Sequence, residues 1–272
     1  MDGQASELQG SNQQQQPLLK RLLPTGPPAT IAEIVADLGL WGRPSRPAGR
    51  PHVLANMVAT VDGRATLSGR SGPISGAADR ALFHGLRAAV DGVLVGAGTV
   101  RTERYGRMIP AEPTRRLRQE RGLSEEPIAC IVSGRLAIDE DLPLLQEPSA
   151  RVAILTSSSA SLPASRAQVD YVRAPSEGRL DLPAALLELR ERYDVESLLC
   201  EGGPHLCGQL LAAGLLDELF LSISPLLAGG EPAGGEALRI LAGTELQPPL
   251  GMELLGVLQS DSYLFLRYGV VC

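Results

Sequence analysis

Five short runs, almost wholly apolar, constrain this chain more than anything else in it: Val53 to Thr60, Gly92 to Val95, Ile128 to Val132, Val152 to Thr156 and Ser197 to Cys200. A strand with one face in water alternates apolar and polar residues. These runs do not alternate, so both of their faces need covering. Segments of helical spacing lie between them. Ala77 to Ala89 sets Leu82, Phe83, Leu86 and Ala89 on one side, and Leu182 to Tyr193 and Pro204 to Ala213 read as two further helices. Strands alternating with helices predict an α/β fold, a mainly parallel sheet flanked by helices on both faces. Leu219 to Ser224 adds a strand. Met252 to Tyr268 reads as two strands about a turn near Ser260-Asp261, which makes the sheet mixed.

The first fifty residues read differently. Residues 1–17 are polar, with a glutamine run from Gln13 to Gln16, and are expected to be disordered. Pro24-Thr25-Gly26-Pro27-Pro28 breaks the chain. A helix is predicted from Thr30, its N-cap, to Leu40, closed by Trp41, and residues 42–51 read as a linker. The expectation is therefore an N-terminal extension over 1–50, partly disordered with one short helix, and a single domain over 51–272. The net charge of −6 and the lack of a basic run argue against nucleic acid as a partner. No apolar run reaches membrane-spanning length, no signal peptide opens the sequence, and the four cysteines form no C-x-x-C pair, so a cytoplasmic protein with reduced thiols is expected. Lys20 is the only lysine, a compositional bias, and a small anionic ligand could still be held by a few local arginines.

Two strand ends carry paired glycines. Ser197 to Cys200 runs into Glu201-Gly202-Gly203-Pro204-His205-Leu206, and Gly92 to Val95 runs into Gly96-Ala97-Gly98-Thr99. A strand, a glycine turn and a helix start offer free N–H groups and a positive dipole end to a phosphate. One such turn is as readily a tight connection with no ligand; two suit a ligand with two phosphate regions, a dinucleotide. Thr99 can cap the helix that follows or bond a phosphate oxygen. Ser133-Gly134-Arg135, after a third strand, suits a ribose 2′-phosphate and so NADPH rather than NADH. The Arg104–Glu126 stretch holds six arginines and reads as a solvated loop and helix, with only Arg104 and Arg107 placed for ligand contact. His52 reads as structural, His84 as packed or half-exposed, and His205 as contributing its backbone. Zinc-hydrolase, zinc-deaminase and G-x-S-x-G signatures are absent, and no metal site is expected.

With these residues in view, the chain resembles the reductase domain of bacterial riboflavin biosynthesis, elsewhere the C-terminal half of a bifunctional deaminase-reductase. Four ordered segments carry the resemblance: Asn56 to Arg64, Ile74-Ser75 through Arg87-Ala88, Val95 to Arg101, and Glu201-Gly202-Gly203-Pro204 through Gly214 to Leu219. It spans about Pro51 to Arg267 and implies a dihydrofolate-reductase-like fold in stand-alone form. It implies that Val58 and Ala59 hold the nicotinamide carboxamide and that Thr99, Glu103 and Ser133 are further cofactor contacts. Gly202, Gly203, Pro204, His205, Leu206, Cys207, Gly208 and Gln209 become the pyrophosphate turn. Ser71, Arg87 and Glu201 become substrate contacts, joined by Arg107. The chain departs from the family where Thr102-Glu103-Arg104-Tyr105-Gly106 replaces an Asp-Asp-Pro pattern, and where Pro73 replaces an aromatic residue. Glu103 is the candidate for polarising the substrate imine. The implied activity is NADPH-dependent reduction of 5-amino-6-(5-phosphoribosylamino)uracil to its ribitylamino product. The alternatives are reduction of another substrate, such as dihydrofolate or a pterin, and a non-catalytic NADP-binding regulatory protein. A two-fold homodimer is expected, because the related reductases pair through sheet-edge strands.

Overall fold

The computed structural model describes residues 17–40, 49–230, 238–243 and 245–271; the glutamine run and Trp41 lie outside them. The chain begins with β1 (Leu18–Leu23), β2 (Gly26–Thr30), α1 (Ile31–Asp37), β3 (His52–Thr60) and α2 (Ala77–Ala89). It continues through β4 (Gly92–Gly96), α3 (Ala97–Thr102), α4 (Glu112–Glu120), β5 (Ile128–Val132), β6 (Arg151–Thr156) and β7 (Gln168–Arg173). The two-residue strands β8 (Pro175–Ser176) and β9 (Arg179–Leu180) lead into α5 (Leu182–Tyr193), β10 (Ser197–Cys200), α6 (Pro204–Ala212) and β11 (Glu218–Ser224). The last two strands are β12 (Met252–Ser260) and β13 (Tyr263–Val270).

All but β8 and β9 form one sheet of order β2-β1-β12-β13-β11-β3-β10-β4-β5-β6-β7. From β11 to β7 every neighbouring pair is parallel, and from β11 to β2 every pair is antiparallel. This is the mixed, mostly parallel sheet that the sequence predicts, in the dihydrofolate-reductase-like architecture that the resemblance implies. The unalternating runs are covered on both faces. Leu54, Val93, Val95, Ala129, Ile131 and Ile154 pack under Leu82 and Leu86 of α2. Their chain neighbours Val53, Leu94, Cys130, Ala153 and Leu155 pack under α5 and α6, against Leu186, Leu189 and Leu210. Among the described residues, no helix is long and apolar enough to cross a membrane.

The N-terminal segment is more than a helix on a linker. The proline-rich stretch lies in a hairpin: β1 pairs with β2, and on its other side with β12, Lys20 facing Gln259. Leu19 and Ala29 of this hairpin are buried, and α1 packs on α2. Gly85 stands in mid-helix because α1 lies so close; a Cβ there would come within 2.5 Å of Ile31 Cγ2. The missing side chain costs about 1 kcal/mol of helix propensity, offset by the close contact. The expected solvated stretch also needs correction. Arg118 of α4 is 1% exposed, and its Nη1 donates to the carbonyls of Ala88 and Val90 at 2.9 and 2.8 Å, satisfying the end of α2. Burial lowers its pKa to about 10.

His52 is structural, as its place at the start of a strand suggests. It lies 3.3 Å from Asp217 and 3.2 Å from Glu218, while Arg50 holds Asp217 by two bonds of 2.9 Å and Arg267 holds Glu218 at 2.7 Å. Burial pushes Glu218 up, but hydrogen bonds from His52 and Arg267 outweigh it and hold the carboxyl at about 2 against an ordinary 4.5. Asp217 is displaced in the same direction. A depressed carboxylate stabilises the fold above its unfolded value and loses that contribution as pH falls through the folded one. The thermal midpoint should therefore fall steeply between about pH 4.5 and about pH 2. The same pH series on Glu218→Gln should show a shallower fall; an identical acid limb would dissociate this cluster from acid stability.

Candidate active site

Strands β3, β10 and β4 are neighbours and parallel, so their carboxyl ends lie side by side. Beyond them opens a cleft of about 780 Å³, at the edge where open α/β sheets bind ligands. The two glycine turns sit on it together. Gly96 N–H donates to the Gly202 carbonyl at 2.8 Å, and Glu201 N–H to Leu94 at 3.0 Å. Gly202 has φ +92°, which favours glycine. Gly203 lies so near α3 that a Cβ would stand 2.8 Å from Thr99 Oγ1. The N-cap of α3 is Gly96, so Thr99 belongs to the first turn and is not the cap. Neither α3 nor α6 has a side-chain cap, which leaves their first N–H groups for a ligand or water.

The floor of the cleft is a buried ion pair. Arg87 Nε and Nη2 donate to Glu201 Oε1 and Oε2 at 2.5 and 2.6 Å, and Tyr105 Oη donates to Oε2 at 2.7 Å. The guanidinium lies 4.3 Å from the centre of the Phe83 ring and 5.2 Å from that of Tyr105. Burial works against the Arg87 charge, but Glu201 outweighs it and raises the pKa above the ordinary arginine value. Burial, together with Glu201, pushes the Tyr105 hydroxyl well up, so it stays a proton donor. Asn56 Oδ1, also on the cleft, is buried without a hydrogen-bond partner among the described residues. A buried acceptor without a donor is uncommon and fits a ligand group that would donate to it.

The walls come from loops. Glu103, just past α3, accepts from Ser71 N–H at 3.0 Å and Ser71 Oγ at 3.2 Å through Oε1. Oε2 makes no hydrogen bond among the described residues. Leu238 and Ile240 form the opposite side, in a segment held by Ala65 N–H to the Leu238 carbonyl and Ala242 N–H to Pro204. Asp62 anchors the end of β3 to the 226–230 loop. The Thr60 hydroxyl and the N–H groups of Gly229 and Ala228 hold its carboxyl at about 2.

Of the residues singled out from sequence, Val58, Ser71, Arg87, Thr99, Glu103 and Glu201 through Leu206 line the cleft together. Ala59, Ser133, Cys207, Gly208 and Gln209 lie off its lining. Ala59 is on the opposite face of β3 from Val58. Ser133 is one residue past Val132, which pairs with Gly96. Arg107 does not reach the cleft: Glu126 and Glu125 hold it, the latter at 3.1 Å. Arg87, at the end of α2, is buried at 8% exposed. Sequence reasoning missed Asn56 as a polar group within a strand, and missed Tyr105, which no local pattern marks. Phe83 was read only as apolar, although its i,i+4 spacing to Arg87 hinted at the contact.

Comparison with known proteins follows the same lines. Residues 51–260 match the family model of the RibD C-terminal domain. The chain is 30% identical over 184 residues to the 2,5-diamino-6-ribosylamino-4(3H)-pyrimidinone 5′-phosphate reductase of Archaeoglobus fulgidus, covering 66% of this chain and 83% of that one. It is 34% identical over 203 residues to the riboflavin biosynthesis protein RibD of Mycobacterium tuberculosis, covering 74% of this chain and half of that longer protein. In fold it is similar to a pyrimidine reductase-like protein of Corynebacterium diphtheriae, with TM-score 0.67, 24% identity and coverage of 90% of this chain and all of that one. Glycine turns, cleft and comparisons agree: the chain belongs to the RibD C-terminal domain family.

Proposed function

We propose that this chain is an NADPH-dependent reductase of 5-amino-6-(5-phosphoribosylamino)uracil, forming the ribitylamino product for riboflavin biosynthesis. The observation that carries the reading is the pair of glycine turns set directly beside the buried Arg87–Glu201–Tyr105 group. The residues fit a dinucleotide: two uncapped helix starts meet at adjacent strand ends, Gly203 has no room for a side chain, and Asn56 offers an unmatched acceptor. These residues would hold NADPH, whose chemistry would be hydride donation to C1′ of the ring-opened imine. The backbone of Val58 and Ala59 would orient the nicotinamide, and Ser133, beyond the cleft lining at the end of the neighbouring strand, would meet the 2′-phosphate. Glu103 Oε2, or a water it orders, would polarise the imine, that water passing to the nitrogen the proton that balances the hydride, while Ser71 fixes the carboxylate. The chemistry belongs to the cofactor; the protein contributes alignment. The free, buried thiols of Cys130, Cys200 and Cys207 suit a reducing cytoplasm.

A second substrate is favoured by a specific observation. The relatives from Archaeoglobus fulgidus and Methanothermobacter thermautotrophicus, of which this chain covers 83% and 82%, are named for the 2,5-diamino-pyrimidinone phosphate. The two pyrimidines differ at one ring substituent and share the ribosylamino phosphate that is reduced. NADPH oxidation should be followed with both pyrimidines and with dihydrofolate. Turnover of a ribosylamino pyrimidine, with NADPH clearly preferred to NADH, is expected. Turnover of dihydrofolate alone, or binding of NADPH without any oxidation, would refute the reading. Equal use of NADPH and NADH would refute the role of Ser133.

The homodimer has its own support. On the face of the sheet away from α2, β11, β13 and β12 present half-buried Leu221, Ile223, Leu266 and Val257, with Leu264 38% and Leu254 41% exposed. A continuous apolar sheet face is a surface to be covered, and a two-fold pair is the commonest way to do it. Light scattering should give about twice the 28.7 kDa chain mass. A monomer mass across a micromolar concentration series would show that the face stays open.

A further inference from the structure

The proposed substrate brings a phosphate, which carries up to about two negative charges at neutral pH. Arg87 is poorly placed to balance it, because Nε and Nη2 both close on Glu201 and the rings of Phe83 and Tyr105 flank the guanidinium. As a unit, that pair is neutral. Three other arginines line the cleft. Arg104 is paired with Asp141 at 3.1 Å. Arg101 turns toward β5, donating to the Ala137 carbonyl at 2.9 Å on the side of Ser133.

Arg80 remains. It is exposed at the rim, one turn of α2 from His84 and two from Arg87, with no carboxylate within ion-pair distance among the described residues. Its Nη1 donates to the Ser75 carbonyl at 2.5 Å, which anchors the guanidinium at the start of α2 and leaves Nε and Nη2 without a hydrogen-bond partner among the described residues. The neighbouring Asp79 carboxylate is taken up by the Ser75 hydroxyl. His84 is held below its ordinary value by burial and by Arg87, so near neutral pH it offers an uncharged ring.

We propose that Arg80 is a specificity-determining residue that holds the 5′-phosphate of the substrate at the rim, above the Arg87–Glu201 floor. A guanidinium with a free edge of N–H donors matches phosphate oxygens as a fork. The proposal rests on the ribosylamino-phosphate reading, and its test separates the two. Calorimetric titration of the full chain should show Arg80→Gln binding ribose 5-phosphate about tenfold or more weakly than the parent, a loss of about 1.4 kcal/mol. Affinity for 2′,5′-ADP, a fragment of the cofactor, should stay within about twofold, and Arg80→Lys should keep part of the ribose 5-phosphate affinity. In turnover, Arg80→Gln should raise KM for the phosphorylated pyrimidine and leave kcat near the parent value, with no change for the dephosphorylated pyrimidine. Unchanged ribose 5-phosphate affinity, no ribose 5-phosphate binding by the parent, or a loss that falls on 2′,5′-ADP would overturn the assignment. Binding through Arg80 in a protein that reduces neither pyrimidine would uphold the phosphate site and sink the substrate reading.

Discussion

Glu201→Ala should destabilise the folded chain by about 3–5 kcal/mol, because it strands a buried arginine without its partner. The geometry sets this apart from a surface ion pair. Arg87 Nε and Nη2 and the Tyr105 hydroxyl converge on one carboxylate, and neither charged side chain is more than a tenth exposed. Denaturant unfolding measures the loss directly. Tyr105→Phe should cost less, about 1.5–3 kcal/mol, since it removes one hydrogen bond to a charged group and keeps the ring over Arg87. The combined Arg87→Met and Glu201→Met variant should recover much of the stability lost by either single change, because neither charge is then left alone. It should still lack activity, since the polar floor of the cleft is gone. A Glu201→Ala effect within about 0.5 kcal/mol would mean that water reaches the pair and that the site is not dry.

The largest effect on ligand binding is expected at Gly203. Gly203→Val should weaken NADPH at least tenfold, about 1.4 kcal/mol, in a chain that still folds. The pyrophosphate assignment requires backbone to approach the anion closely, and the structure adds a nearer obstacle in Thr99 Oγ1, 2.8 Å from the site of the new Cβ. These two causes can be separated. Thr99→Ala removes the hydroxyl, so Gly203→Ala made together with it relieves the crowding inside the protein. Affinity should remain below that of Thr99→Ala alone, because the methyl still occupies the approach to the pyrophosphate. Unchanged NADPH affinity in folded Gly203→Val would remove the dinucleotide from this turn.

The parallel strands other than the half-buried edge strand β7, their covering helices and both glycine turns were legible in the sequence, since each is a pattern within a few neighbouring residues. An unalternating apolar run needs two covers wherever it lies, and a glycine pair after a strand permits the same turn in any fold. What the local pattern misjudged was set by partners far along the chain. The proline-rich stretch near Pro27 became a strand by pairing with β1, which is itself held along β12, more than two hundred residues away. Arg118 in a polar helix became a buried cap because the end of α2 lies against it. Arg107 turned to Glu125 and Glu126, off the cleft lining. Arg87 and Glu201 were each identified as substrate contacts, but nothing within either segment says that they bind each other across 114 residues. A charge takes its meaning from its surroundings: in water it attracts a ligand weakly, and in a dry floor it must first be neutralised. The sequence by itself therefore determined that two glycine turns would stand at the carboxyl ends of buried parallel strands. Only the tertiary structure decided which of the charges beside them are already matched, because desolvation and pairing depend on distances between segments that chain order does not contain.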